Sequence, residues 1–233
     1  TKTMSGDEIP EDWRLSNVAA IFKKGKRYET SNYRPVSMES LLCKVGEKIV
    51  KNVLLEHLLE NDMISGSQHG FLPRKSTTTN LIEYLDAITS EVDQGNTVCS
   101  IYTDFAKCFD RIPHHLLLHK IRTRHRVGGA VANWIEDWLS HRKQRVILNG
   151  EASEYADVSS GVIQGSVLGP ILALMMLDSI DEVFEHGHAS KFADNKIYGV
   201  VQNENDHEKL QGDPNVSRTL GIRPKCGQML CHA

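Results

Sequence analysis

Long apolar runs are missing from this sequence. The longest, from Val167 to Leu177, contains Gly169 and Pro170 and falls well short of the roughly 20 residues that cross a bilayer as a helix. An excess of positive charge is missing too: 27 Lys and Arg stand against 30 Asp and Glu, giving a net charge of -3 and a pI near 6.4. A surface that grips phosphates needs Lys and Arg to displace counterions, so any basic groove here has to be local. Cysteine is scarce and odd in number: Cys43, Cys99, Cys108, Cys226 and Cys231 follow no regular spacing. That pattern argues against a secreted disulfide framework and for a reduced, intracellular setting, nuclear or cytoplasmic. No signal peptide opens the chain, so the sequon Asn215-Val216-Ser217 is read as chance. Internal repeats and low-complexity tracts are absent. What remains is 233 residues, 40% hydrophobic and 24% charged, enough for a buried core in one large domain or two small ones.

The chemistry is concentrated at two acids. The apolar, β-branched run from Val98 to Tyr102 ends on Asp104, turns through small residues, and meets Phe109 five positions after the acid. A carboxylate lifted to a sheet edge, with no Lys or Arg in its own strand, can hold a hard cation, although acids in such places are commonly turn or cap residues. Downstream, Lys191-Phe192-Ala193-Asp194-Asn195-Lys196-Ile197-Tyr198 reads as a tight hairpin with Asp194 at its tip. Two strands that each deliver an Asp to one point form the minimal scaffold for two-metal phosphoryl transfer, with ions roughly 4 Å apart.

The rest of the chain reads as a frame for those strands. A basic cluster, Lys23-Lys24-Gly25-Lys26-Arg27, precedes Asn32-Tyr33-Arg34-Pro35; it is either a solvated loop or a grip for phosphate and base. Helical spacing over 37–64 predicts a helix whose core face carries Leu41, Leu42, Val45, Ile49, Val53, Leu58 and Leu59. In 68–77, Gly70 and Pro73 beside Arg74 and Lys75 suggest a bent hairpin able to hold a triphosphate, with His69 as a structural hydrogen-bonding residue. A second helix over 76–94 presents Leu81, Ile82, Leu85, Ile88 and Val92 and stops at Gly95. Pro113 opens a third bearing Leu116, Leu117 and Ile121, and after Gly128-Gly129 a fourth carries Trp134 and Trp138 as core. A strand over 146–149 turns at Asn149-Gly150 toward a partner over 155–158. The loop from Ser160 to Pro170 is glycine-rich but lacks the Gly-Lys-Ser/Thr ending of a P-loop, so it reads as a loop-to-helix junction. Cys226, Cys231 and His232 match no standard zinc spacing.

In order and spacing, Asp104 with Phe109, the Ser160-to-Pro170 loop with Gln164 and Gly165, and Phe192-Ala193-Asp194 resemble motifs A, B and C of a reverse transcriptase. The flavour is that of the non-LTR retrotransposons, LINE and jockey-like, and the resemblance runs from about Pro10 to Asp213. It implies an α+β right hand: a fingers region over 1–95, a palm over 96–213 whose small antiparallel sheet is backed by helices, no thumb, and a divergent, poorly ordered tail over 214–233. It implies RNA-directed DNA polymerase activity, deoxynucleotidyl transfer onto a primer 3′-OH, with RNA template, DNA primer and dNTP as partners and no membrane. Asp104 and Asp194 would hold two Mg²⁺ ions, or Mn²⁺ as an alternative. Asn195 stands where the family has a second acid and could offer only a neutral carbonyl. Phe109 resembles the steric gate against a ribose 2′-hydroxyl, while Gln164 and Gly165 would meet the nucleotide and templating base. Arg74 and Lys75 would meet the triphosphate, and Tyr33 and Arg34 the template. The departures are Leu72 and Lys75 where the family usually has Arg, Ile163 where Pro is common, and Ala173 with Asp178-Ser179 in the helix after motif B. Leu72, Asn195 and the missing thumb leave an alternative open, a catalytically inactive relic or a non-catalytic RNA-binding module. The motif B block disfavours an unrelated metal-dependent nuclease.

Overall fold

The computed structural model describes residues 8–105, 108–179, 188–192, 195–203, 205–206, 224–225 and 229–232. The chain forms two compact units, Thr1–Asn61 with Phe109–Met175, and Asp62–Cys108 with Met176–Ala233. The boundary expected near residue 95 falls inside the second of these.

In the first unit, β1 (Leu15–Phe22) pairs antiparallel with β2 (Tyr33–Met38) and parallel with β4 (Lys143–Leu148). Asn149 and Gly150 both take positive φ, 53° and 89°, as a tight hairpin turn requires. The return strand comes in two short pieces, β5 (Glu151–Ala152) and β6 (Ala156–Asp157), pairing with opposite ends of β4. Leu117 and Ile121 of α4 (His114–Thr123) are buried, and α5 (Gly129–Leu139) buries Trp134 and Trp138 with rings stacked 6.4 Å apart. These two tryptophans are core, as their spacing predicts.

Helix α1 (Leu41–Glu60) starts where Ser40 accepts the amide of Cys43, but of the predicted core face only Leu58 is buried. The core stripe is Cys43, Gly46, Glu47, Val50, Leu54 and Leu58, whereas Leu41 is 78% exposed and Leu42, Val45, Ile49, Val53 and Leu59 also face outward. The helix carries more apolar residues than one stripe can bury, and the stripe that wins is the one whose Glu47 finds buried partners.

The second unit is built on β3 (Val98–Phe105). Its sheet runs β10 (Met229–His232), β3, β8 (Asn195–Val200), β7 (His188–Lys191), all antiparallel, with β9 (Pro224–Lys225) also on β3. Helix α2 (Thr77–Asp93) is entered through a Ser76–Thr79 capping box and ends before Gly95 at φ 84°. Here the predicted face is only in part rotated: Ile88 is buried and Val92 packs against the core as expected, but Asn80 and Tyr84 are buried while Leu81, Ile82 and Leu85 are exposed. Asn80 and Tyr84 win their places by hydrogen bonding, Asn80 to Ser190 Oγ at 2.7 Å and Tyr84 to Ser100 Oγ at 2.8 Å. Tyr84, Ile88 and Val98 form one core cluster with Val92, Tyr198 and Val200; Cys99 and Ile197 form another with Ile101 and Val201.

The tail, expected to be poorly ordered, supplies β9 and β10, because an apolar strand such as β3 leaves a row of backbone groups to be paired along its free side. Cys231 sits directly opposite Cys99 and is joined to it by a disulfide, a pairing that cysteine spacing does not reveal. Among the described residues, Cys43 is a free, buried thiol, and no helix is long and apolar enough to cross a membrane.

Candidate active site

The acid-bearing strands lie in the second unit. Pairing of Lys191 with Asn195 closes β7 and β8 into a hairpin whose loop is 192–194. Asp194 is outside the described residues. On the other side of β8, Asn195 is opposite Thr103, so the first residue after the hairpin loop lies one register step from Asp104. The register also places Lys225 of the tail opposite Asp104.

The root of that hairpin is bracketed by the segment just before α2. The Lys191 amide donates to Ser67 O at 2.9 Å, and Lys191 O accepts from the His69 amide at 2.7 Å. Lys191 is only 2% exposed; its ammonium reaches Asp178 O at 3.4 Å, while Asp178 Oδ1 accepts the Ser65 amide at 3.1 Å. Any Cβ on Gly70 would sit 2.8 Å from Phe192 O. The block over 65–70 thus holds the acid hairpin in place, a role its composition does not announce. Of the two cations expected at a triphosphate, Lys75 donates to Gly66 O, and Arg74 is exposed at φ 62°. Gly70→Ala is expected to lower stability by about 1–3 kcal/mol, because backbone at Phe192 has to shift. Urea denaturation against wild type measures it.

The motif B residues lie in the first unit, tied to the turn that carries Phe109. In α3 (Cys108–Arg111), Phe109 O accepts the Val162 amide at 2.6 Å. Gly161, at φ 87°, donates to Ile112 O at 2.8 Å and accepts from His114 Nε2 at 2.7 Å. A side chain there would stand 2.6 Å from Phe109 O. At the other end of the loop, Gln164 O accepts the Ser37 amide at 2.7 Å, and a Cβ on Gly165, φ 116°, would fall 2.5 Å from Ser37 O. Ser37 belongs to β2, the strand of Tyr33 and Arg34. The structure therefore joins Phe109, Gln164, Gly165 and β2 through one backbone network. Tyr33 donates to Arg27 O at 2.7 Å and packs edge-on to Phe22 at 5.5 Å, while Arg34 is exposed.

Under this loop lies a buried charge cluster that the sequence motifs do not flag. Glu47 Oε2 accepts the amides of Val167 and Leu168 at 2.6 and 3.0 Å, fixing the start of α6 (Gly169–Leu177). Cys43 Sγ donates to Glu47 Oε1 at 3.3 Å. Arg142 Nη2 meets Glu39 Oε1 at 2.5 Å, with both side chains sealed from solvent. Its Nη1 donates to Trp138 O at 3.0 Å and its guanidinium lies over the Trp138 ring at 4.9 Å. Burial, together with the charge of Glu47, pushes the Glu39 carboxyl up to about 8. Two carboxylates face one guanidinium, so the pair keeps a proton. Burial lowers Arg142 and pushes the Cys43 thiol up. Glu39, Cys43 and Glu47 bring potential metal-ligating atoms within 4.8 Å of one another, but Arg142 already supplies the positive charge. The one visible signal is the spacing of Cys43 and Glu47 one turn apart on α1, with Glu39 just before the Ser40 cap.

A sequence profile described as "Reverse transcriptase (RNA-dependent DNA polymerase)" matches residues 21–213. Over 167 residues the chain is 29% identical to the "Probable RNA-directed DNA polymerase from transposon BS" of Drosophila melanogaster, covering 70% of this chain and 18% of that protein. It is 27% identical over 165 residues to the "RNA-directed DNA polymerase from mobile element jockey" of the same organism, with the same coverage. The chain thus spans less than a fifth of the length of these relatives. Among solved structures, telomerase from Candida tropicalis in complex with a TWJ fragment of telomeric RNA superposes with a TM-score of 0.69. The identity is 13%, covering 97% of this chain and 42% of that one, so this likeness shows the α+β fold. With the profile covering most of the sequence, the chain belongs to the reverse transcriptase (RNA-dependent DNA polymerase) family.

Proposed function

We propose that this chain is the fingers and palm portion of a non-LTR retrotransposon polymerase that extends a DNA primer on an RNA template. The observation that carries the reading is the strand register: the residue closing the β7–β8 hairpin stands next to Asp104 on the central strand. Asp104 and Asp194 are the residues that would hold Mg²⁺, or Mn²⁺; two carboxylates suit a hard, oxygen-seeking cation, and Asn195 adds at most a neutral oxygen. When bound, such ions supply charge stabilisation to the attacking and leaving oxygens. In the reaction the primer 3′-oxygen bonds to the α-phosphorus of the dNTP and the bond to pyrophosphate breaks. Phe109 presents its ring to the sugar, Gln164 and Gly165 orient the nucleotide, and Tyr33 with Arg34 tracks the template. Arg74 is the better placed of the two expected triphosphate cations, since Lys75 is bonded to Gly66 O.

Primer extension on an RNA template, with Asp104→Ala as control, tests this reading. Mg²⁺-dependent extension that Asp104→Ala abolishes supports it. Absence of extension in wild type and in Asn195→Asp overturns it. The second reading, a non-catalytic RNA-binding module, is favoured by Leu72 and Asn195 and predicts RNA binding without extension in both proteins.

A further inference from the structure

A cavity of about 460 Å³ opens in the second unit between α2, the loop before it and the edge of the sheet. One wall is aromatic. The Tyr198 ring lies 5.7 Å from that of His188, tilted by 39°, and 5.3 Å from Tyr84, which meets it edge-on. Facing it is the Glu83 carboxylate, 63% exposed, gripped at 2.7 Å by Nε2 of His69, which is nearly sealed at 4%. His69 Nδ1 is 3.1 Å from Thr79 Oγ1, and that hydroxyl already donates to Ser76 O at 2.9 Å. The 2.7 Å contact has His69 Nε2–H donating to the Glu83 carboxylate. His69 and Glu83 are held together, imidazole to carboxylate. The carboxylate keeps lone pairs for a ligand, and its charge adds to burial in raising the Tyr198 hydroxyl. The wall at 67–69 is pinned to Lys191 by the two backbone bonds described above, so the cavity is largely pre-formed.

We infer that this cavity binds the guanine base of a single-stranded nucleotide. Its size admits a base with its sugar, its aromatic wall offers a stacking surface, and its carboxylate can accept two adjacent N–H donors. Guanine is the common base that presents such a pair, N1–H and N2–H, on one edge. A phosphate or other anion is disfavoured, because the described lining has a carboxylate and neither Lys nor Arg. Neither Asp104 nor Gln164 takes part, so the site stands independently of the polymerase reading.

The test is titration of the full chain, in EDTA, with guanosine, adenosine, cytidine and uridine 5′-monophosphates, followed by NMR or calorimetry. GMP is expected to bind at least tenfold more tightly than the other three. Glu83→Gln, which keeps an amide oxygen to accept from His69 Nε2, is expected to remove that preference while the variant stays folded, as its circular dichroism spectrum shows. Tyr198→Leu is expected to weaken all four nucleotides about tenfold or more. Asp104→Ala is expected to bind GMP as wild type does, which separates this site from the polymerase centre whether or not primers are extended. Equal binding of all four nucleotides, no binding at millimolar GMP, or a GMP preference that survives Glu83→Gln would overturn the inference.

Discussion

Asn195→Asp is expected to raise Mg²⁺-dependent primer extension by about 10²- to 10³-fold, the size of effect typical of a single preorganised electrostatic group. The substitution is isosteric and lies one register step from Asp104, so it adds a charge while leaving the β3–β8 pairing in place. Where Asn offers a carbonyl dipole, Asp offers a full negative charge to a divalent ion. The Mg²⁺ concentration giving half-maximal rate should therefore fall together with the gain in rate. Single-turnover extension across a Mg²⁺ titration reads both quantities. An unchanged rate with unchanged Mg²⁺ dependence would remove Asn195 from the chemistry.

Arg142→Met is expected to cost about 3–5 kcal/mol of stability, since it leaves Glu39 and Glu47 buried with their counter-charge gone. Adding Glu39→Leu should restore most of the loss, because replacing both members of a buried pair by apolar groups is far less costly than removing one. Urea unfolding of the two single variants and the double variant closes the cycle. The same cluster gives stability a pH dependence. The folded chain holds the Glu39 proton up to about 8, whereas the unfolded chain releases it near 4.5. Between those values the native state binds more protons, so this contribution is fully present below 4.5 and is lost as pH rises through about 8. Glu39→Gln should flatten unfolding midpoints across that window. A wild-type midpoint independent of pH there would show that the pair does not hold the proton.

Much of the frame was legible in the sequence because it depends on local chemistry. Gly95 ends a helix, Asn149-Gly150 turns a hairpin, and Trp134 with Trp138 packs inward. The β7–β8 hairpin was legible for the same reason, as apolar residues flank a short polar turn, while its expected acid, Asp194, lies outside the described residues. What escaped depends on partners far along the chain. Glu47 is buried because it meets amides 120 and 121 residues away, and Asn80 because it meets Ser190, 110 residues away. No periodicity encodes those meetings, so an apolar stripe of leucines is the better local bet and the wrong face. Gly70 shows the limit from the other side. Its neighbour Phe192 lies in the hairpin, so the glycine looks like part of a phosphate loop until the two backbones are seen in contact.

The bond between Cys99 and Cys231 turns most of the molecule into a covalent ring. Asp104, Phe109, Gln164 and Asn195 lie on that ring, whereas Tyr33, Arg34, α1 and α2 belong to the free arm that enters it. A single backbone cut anywhere between residues 99 and 231 opens the ring but leaves one molecule, with the A, B and C blocks still on a common covalent thread. In a reducing cell the ring is a line, and a cut between Phe109 and Phe192 divides those blocks between two chains.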